Sequence, residues 1–409
     1  MSRKERGFTL YSLKQDAARD ILIAICISTE GSREMNDLLQ GFQATTWQML
    51  VMWLIGGVLI YLAIKKDMEP TLLLPMGFGA ILMNLPMPPT ASGDYAGVAS
   101  VIKTLFDAGI DNELFPLLLF VGIGAMIDFG PLLSNPRLLL FGAAAQFGIF
   151  FTMFLAATFF GDFFSIKDAG AIGIIGAADG PTSILVANAF KTEYLGAITV
   201  AAYSYMALVP IVQPPFIRMV TTKKERLIRM PYHPKQVTRT TRILFPIIVT
   251  IIAGLIAPES AALVGFLMFG NLVRECTVLN GLSDTAQNVL AKLISLFLGL
   301  TIAFKMQADA FLNFKTIMIM CLGLVAFIFD TIGGVLFAKF LNLFLKQKIN
   351  PMIGAAGISA FPMSSRVVHK MGLKEDPENF LLMHAAGANV AGQIASVIAG
   401  GMILALIAH

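Results

Sequence analysis

Of the 409 residues of this chain, 56% are hydrophobic and 14% are charged, against about 25% charged in an ordinary globular domain. With a mean hydropathy of +0.75, that balance excludes a soluble enzyme or a nucleic-acid-binding module and identifies a multi-pass integral membrane protein. The formal charge of +4 therefore bears on loop orientation and not on nucleic acid.

Residues 1–44 form a charged N-terminal extension whose apolar run, Ile21 to Ile27, is too short for a span or a signal peptide. Met35 opens a more ordinary membrane-protein start and is expected as an alternative first residue. Apolar segments then follow at Trp47 to Ile64, Pro70 to Leu85, Leu114 to Ile127, Leu138 to Phe160 and Tyr194 to Phe216. A second series runs Ile243 to Ala257, Ser260 to Val273, Val289 to Phe304, Thr316 to Phe340 and Phe380 to Ile407. The chain thus reads as a duplication, with membrane repeats at 45–216 and 243–408 joined by a basic linker, 217–242. Cys26, Cys276 and Cys321 lack metal-type spacing and read as free thiols.

Just before the last segment of each series lies a broken stretch with the pattern I-G-x-x-G-x-x-x-x-P-x-S, at residues 172–183 and 353–364. Glycine and proline at that density interrupt a helix. If each stretch enters and returns, as hairpins over 169–190 and 350–366, each half makes about five crossings and the halves are inverted. With the linker cytoplasmic, most lysines and arginines of the loops then fall on the cytoplasmic side, as the positive-inside rule requires. The expected fold is an all-α polytopic membrane protein of two inverted-topology repeats, each with a re-entrant broken-helix hairpin meeting the other near the midplane.

Asp179, inside the first break, is the leading candidate for chemistry. An acid near the midplane costs about 3 kcal/mol on insertion scales and ordinarily faces a functional path. Gly176, Gly180 and Pro181 free carbonyl oxygens around it, and a hard monovalent cation such as Na⁺ takes such ligands; a helix-capping acid is the structural alternative. Asn389, Gln393 and Ser396 share one face of the final segment. Gln393 and Ser396 fit either helix-to-helix glue or ion ligation, while Asn389 leans toward a ligand. Tyr203, Ser204 and Tyr205 interrupt an apolar run, and either tyrosine fits packing or an ion or proton path; Asp330 is a second intramembrane acid in reserve. Arg366, just past the second break, suits bidentate capture of a carboxylate.

Four motifs in order give a resemblance: G-A-A-D-G-P-T-S-I from Gly176, A-A-Y-S-Y-M-A-L-V-P from Ala201, N-P-M-I-G-A-A-G-I-S-A-F-P-M-S-S-R-V from Asn350 and F-L-L-M-H-A-A-G-A-N-V-A-G from Phe380. Over about residues 36 to 408 the chain resembles the membrane β subunit of the sodium-pumping, biotin-dependent decarboxylases. The resemblance implies a subunit in a prokaryotic cytoplasmic membrane that decarboxylates carboxybiotin delivered by a partner, exports Na⁺ and consumes a proton. It implies Asp179 and Asn389 as Na⁺ ligands, Tyr205 on the ion or proton path, and Asn350, Gly354, Ser359 and Arg366 at the second hairpin's site; Gly354 and, from its place on the Asn389 face, Ser396 are also expected to serve the Na⁺ site. The implied partners are a carboxyltransferase (α) subunit, a biotin carrier protein and a small membrane (γ/δ) subunit, with a second copy of the chain within the complex left open. No biotin-attachment sequence occurs, Phe304-Lys305-Met306 being a near miss, so biotin is expected from another chain. The alternative is a stand-alone Na⁺-coupled secondary transporter or Na⁺/H⁺ antiporter.

Overall fold

The computed structural model describes residues 44–66, 69–86, 97–232 and 237–407; Met35, Cys26 and Lys235 lie outside them. Among the described residues all regular structure is helical, because a lipid-embedded backbone must satisfy its polar groups within each segment. Six of the helices are long and apolar enough to cross a membrane.

The first half starts with α1 (Trp47–Lys66) and α2 (Pro70–Met83). Next come α3 (Gly97–Phe106), a π-helical turn over Asp107–Asp111 and α4 (Leu114–Met126), which bends 62° from the helix before it. Then follow α5 (Gly130–Ser134), α6 (Leu139–Ala144) and α7 (Phe147–Phe159). The first hairpin comprises α8 (Ile166–Gly173), a 3-10 turn over Ile174–Ala177 and α9 (Gly180–Ala189), and α10 (Leu195–Val220) ends the half. The linker holds α11 (Lys223–Arg226).

The same order recurs afterwards. It runs α12 (Arg239–Ile256), α13 (Ala261–Glu275), α14 (Asn280–Thr285), a π-helical turn over Ala286–Leu290 and α15 (Ala291–Ile302). The short α16 (Ala308–Phe311) precedes the 31-residue α17 (Phe314–Phe344). The second hairpin comprises α18 (Met352–Ala355) and α19 (Met363–Glu375), and α20 (Leu382–Ile407) closes the chain.

The segment expected over Leu138 to Phe160 is present as one span, Pro136–Phe159, interrupted only by a turn between α6 and α7. There Gln146 turns its amide back to the Gly142 carbonyl, and Asp330 takes the amides of Gly148 and Ile149 as a cap from α17. The third element of each half starts earlier than expected, since Asp107, Asp111, Asp284 and Asn288 hide its first turns from an apolar count. The linker is shorter, because α10 runs on to Val220 and the Thr238 side chain caps α12 by accepting from the Thr241 amide.

The two halves interlock through close backbone approach, the packing mode that small residues permit in lipid. A Cβ at Gly124 would lie 1.8 Å from the Leu267 carbonyl oxygen, and one at Gly270 would lie 2.1 Å from that of Val121, so α4 and α13 are in direct backbone contact. Large apolar side chains such as Leu54, Ile64, Leu255 and Leu343 are exposed on the outside, whereas Asp179, Gln213, Asp330, Asn389 and Gln393 are buried within. This inside-out distribution is what a lipid solvent demands.

Helix α17 is the spine of the site. At its start Lys315 Nζ donates to the Tyr194 hydroxyl, beside the open end of the first hairpin, where Thr192 bonds Asp168 across the two legs. Near its other end Asn342 Nδ2 donates to the Ile349 carbonyl at the start of the second hairpin. The hairpin mouths thus lie at opposite ends of a helix about 45 Å long at 1.5 Å per residue.

Candidate functional site

The first break follows from local sequence. A 3-10 turn tightens α8, Ala178 adopts the left-handed conformation at φ 52°, and Asp179 is extended before proline-led α9 begins. As N-cap of α9, Asp179 uses one oxygen heavily: Oδ2 accepts from Thr182 Oγ1 at 2.8 Å, Ser396 Oγ at 2.8 Å and Gln393 Nε2 at 3.1 Å. Oδ1 receives only the Thr182 amide at 3.5 Å. Asp179 is 3% exposed, so it is a buried carboxyl group with one oxygen saturated by neutral donors and the other accepting only one long bond.

The second break is wedged beside the first. Ser359 N donates to the Ala177 carbonyl at 3.0 Å, and Ser359 Oγ donates to the Gly392 carbonyl at 3.1 Å. Asn389 Nδ2 donates to the Ile358 carbonyl at 2.6 Å, while its Oδ1, fully buried, has no protein partner. One face of α20 therefore binds both breaks: Gln393 and Ser396 reach Asp179, and Asn389 reaches the second stretch.

These contacts bring Asp179, Ser359, Asn389 and Ser396 into one cluster. The remaining expected residues sit elsewhere. Tyr205 donates its hydroxyl to the Met320 carbonyl of α17, and its ring stacks on Phe327 at 6.4 Å. Gly354 packs on Gly334 of α17, where a Cβ at Gly354 would fall 1.9 Å from the Gly334 carbonyl oxygen. Asn350 stands at the mouth of the second hairpin, with Nδ2 donating to the carbonyls of Arg226 and Ile228 in the linker and Oδ1 accepting from Met352 N. Arg366, one turn into α19, is exposed and makes no ion pair among the described residues.

Two residues enter beyond the expected site set: Tyr203, which the sequence offered only alongside Tyr205, and Gln213. A Cβ on Gly180 would lie 2.0 Å from the Tyr203 ring, so this tyrosine lies directly on the first break, and its buried hydroxyl has no protein partner. Gln213 on α10 donates to the Ala355 carbonyl at 2.9 Å and accepts from Ser364 Oγ at 2.9 Å, clasping the second break. Gln213 carried one signal, a carboxamide in an apolar run directly before Pro214 and Pro215. The neighbouring tyrosines gave no basis for preferring Tyr203 over Tyr205.

Near the first break, Asn389 Oδ1 and Tyr203 Oη are buried with no hydrogen-bond partner among the described residues, and Asp179 Oδ1 accepts only the long bond from the Thr182 amide. Hard oxygen donors of this kind suit an alkali cation, and the single carboxylate balances one positive charge.

Comparison with known proteins gives the same direction. Residues 48–407 match the family model described as "Na+-transporting oxaloacetate decarboxylase beta subunit". The chain is 49% identical over 367 residues to the glutaconyl-CoA decarboxylase subunit beta of Acidaminococcus fermentans, covering 90% of this chain and 95% of that one. It is 47% identical over 385 residues to the methylmalonyl-CoA decarboxylase subunit beta of Propionigenium modestum, covering 90% and 96%. Against the oxaloacetate decarboxylase beta chain of Klebsiella pneumoniae it is 44% identical over 407 residues, covering 87% and 94%.

Proposed function

The chain belongs to the family of Na⁺-transporting oxaloacetate decarboxylase beta subunits, and from that premise we propose that it decarboxylates carboxybiotin brought by a partner subunit and couples this to Na⁺ export. The relatives are named for three different substrates at similar identity. The acid that feeds the complex is therefore chosen outside this chain, on a carboxyltransferase subunit. A biotin carrier and a small membrane subunit complete the proposed assembly.

In this reading the halves are inverted repeats whose hairpins enter from opposite faces. The recurring element order and the placement of the hairpin mouths at opposite ends of α17 support it. So does a pair of matching staples: Asn84, just after α2, bonds the Met306 carbonyl and the Ala308 amide, and Asn271 in α13 bonds the carbonyl of Ile127. Each asparagine clamps a connector of the other half.

Carboxybiotin approaches from the linker face and meets Arg366, which grips the N-carboxylate; Ser359 and Asn350 order the hairpin around that approach. Moving the carboxylate into a less aqueous pocket weakens it relative to neutral CO₂. Na⁺ is held by Asp179 Oδ1 with Asn389 and Ser396; Gly354, packed on Gly334 of α17, and Tyr205 order the neighbouring wall. Rocking of one repeat against the other then opens the site outward.

The observation that carries this reading is the unequal use of the Asp179 oxygens at the meeting point of the two breaks. Asp179→Asn in the assembled complex is expected to abolish Na⁺-dependent decarboxylation of carboxybiotin without loss of assembly. Undiminished Na⁺-stimulated turnover in that variant refutes the assignment.

A further inference from the structure

Asp330 is the other fully buried aspartate among the described residues, at the centre of the apolar α17. Its Oδ1 accepts the amides of Gly148 and Ile149, the first turn of the 13-residue α7. Its Oδ2 is buried and has no hydrogen-bond partner among the described residues. That oxygen faces the first break, since a Cβ built on Gly176 would lie 2.7 Å from it and 2.8 Å from the Ala326 methyl.

The structural task here, capping α7 across a helix crossing, is fulfilled by Oδ1 alone. An asparagine oxygen would fulfil it equally. What a carboxyl adds over a carboxamide at this point is an exchangeable proton on the second oxygen.

No competing charge is at hand. Leu139–Ala144, Phe147–Phe159, Ile174–Ala177 and Met352–Ala355, which pack on α17, contain no titratable residue. On α10 the titratable groups are Tyr203, lying on Gly180, Tyr205, bonded to Met320, and Arg218 in the last turn. On α8 they are Lys167 and Asp168 at the mouth, and on α17 itself Lys315, Cys321 and Lys339, with Lys339 paired to Glu225 of the linker.

We propose that Asp330 is a proton-carrying residue of the membrane core, loading and releasing a proton on Oδ2 on the far side of the Gly176 break from the ion-binding Asp179. This rests on the decarboxylase reading. There the bond between the ureido nitrogen and the carboxyl carbon breaks, CO₂ departs, and the electron pair stays on nitrogen, which takes up one proton. Asp330 relays that proton and returns to its starting state, so it is neither consumed nor oxidised.

Two measurements on the complete complex test the proposal. With aspartate labelled at the side-chain carbon, infrared spectra of the Asp179→Asn complex are expected to keep one neutral-acid carbonyl band that titrates away as pH rises and is missing in the Asp179→Asn, Asp330→Asn double variant. In vesicles, Asp330→Asn alone is expected to slow decarboxylation roughly a hundredfold, to flatten its pH profile and to leave the half-saturating Na⁺ concentration unchanged. A purely structural cap predicts wild-type turnover and pH profile in Asp330→Asn, and that result overturns the proposal. Should Asp330→Asn fail to assemble, the Asp179→Asn spectra decide alone, and no titrating band at any pH overturns it. Wild-type vesicles that decarboxylate without proton uptake would instead overturn the proton-consuming reaction itself, a failure read without any variant.

Discussion

The backbone amide of Ser359 donates to the carbonyl oxygen of Ala177 at 3.0 Å, so two helix breaks separated by about 180 residues touch at one point. Every residue of the proposed ion site lies within a turn or two of that bond, or on the face of α20 that covers it. Perturbations near it should therefore read out on Na⁺ before they read out on folding.

Tyr203→Phe removes a buried hydroxyl that has no protein partner and leaves the ring on Gly180. Stability should hold or rise slightly, because an unsatisfied buried polar group is lost. The half-saturating Na⁺ concentration for decarboxylation should rise about tenfold, equivalent to about 1.4 kcal/mol. An unchanged Na⁺ titration removes the hydroxyl from the site.

Ala178 holds a left-handed conformation, φ 52° and ψ 44°, which glycine adopts without strain. Ala178→Gly should relieve about 1 kcal/mol and raise the thermal unfolding midpoint of the detergent-solubilised complex. A lowered midpoint would show that the methyl group contributes more through packing than the strain costs.

Asn350 spends both amide hydrogens on the linker, at 2.9 Å to Arg226 O and 3.0 Å to Ile228 O. Asn350→Ala should loosen the linker by about 1–3 kcal/mol and speed trypsin cleavage after Arg226 and Arg229. Cleavage at the wild-type rate would mean that the ion pairs of Arg226 with Glu375 and of Arg229 with Asp376 suffice to hold it.

Those pairs have a pH signature. Hydrogen bonding to Arg229 holds the Asp376 carboxyl below the usual carboxylate range. A depressed carboxylate stabilises the docked linker fully above its unfolded value, about pH 3.9, and loses that contribution as pH falls through its lower folded value. A nitroxide at Leu227→Cys should therefore gain mobility only below about pH 4, and Arg229→Ala should make that onset earlier. Mobility that rises between pH 6 and 7 instead would assign control to a histidine, His369 or His384.

Much of the site was legible in the chain. Asp179 announced itself as a carboxylate in an apolar, glycine- and proline-rich stretch, and Asn389, Gln393 and Ser396 fell on one face by helical spacing. All four are buried, as lipid leaves polar side chains only the interior. Tyr203, Gln213 and the capping of α7 by Asp330 were not legible. Each depends on a partner more than 100 residues away or on a ring meeting a bare glycine, and neither leaves a periodic trace.

By itself the sequence determined a helical membrane protein and the two helix breaks, because hydropathy and the loss of helix propensity at glycine and proline are local properties of the chain. Only the tertiary structure decided which oxygen of Asp179 carries most of the hydrogen bonds, which tyrosine lies on Gly180, and that Asp330 turns its second oxygen toward the same break. Those outcomes are set by close approach of separate helices, where a missing Cβ or one hydrogen bond between distant segments selects among arrangements that local preference leaves equal.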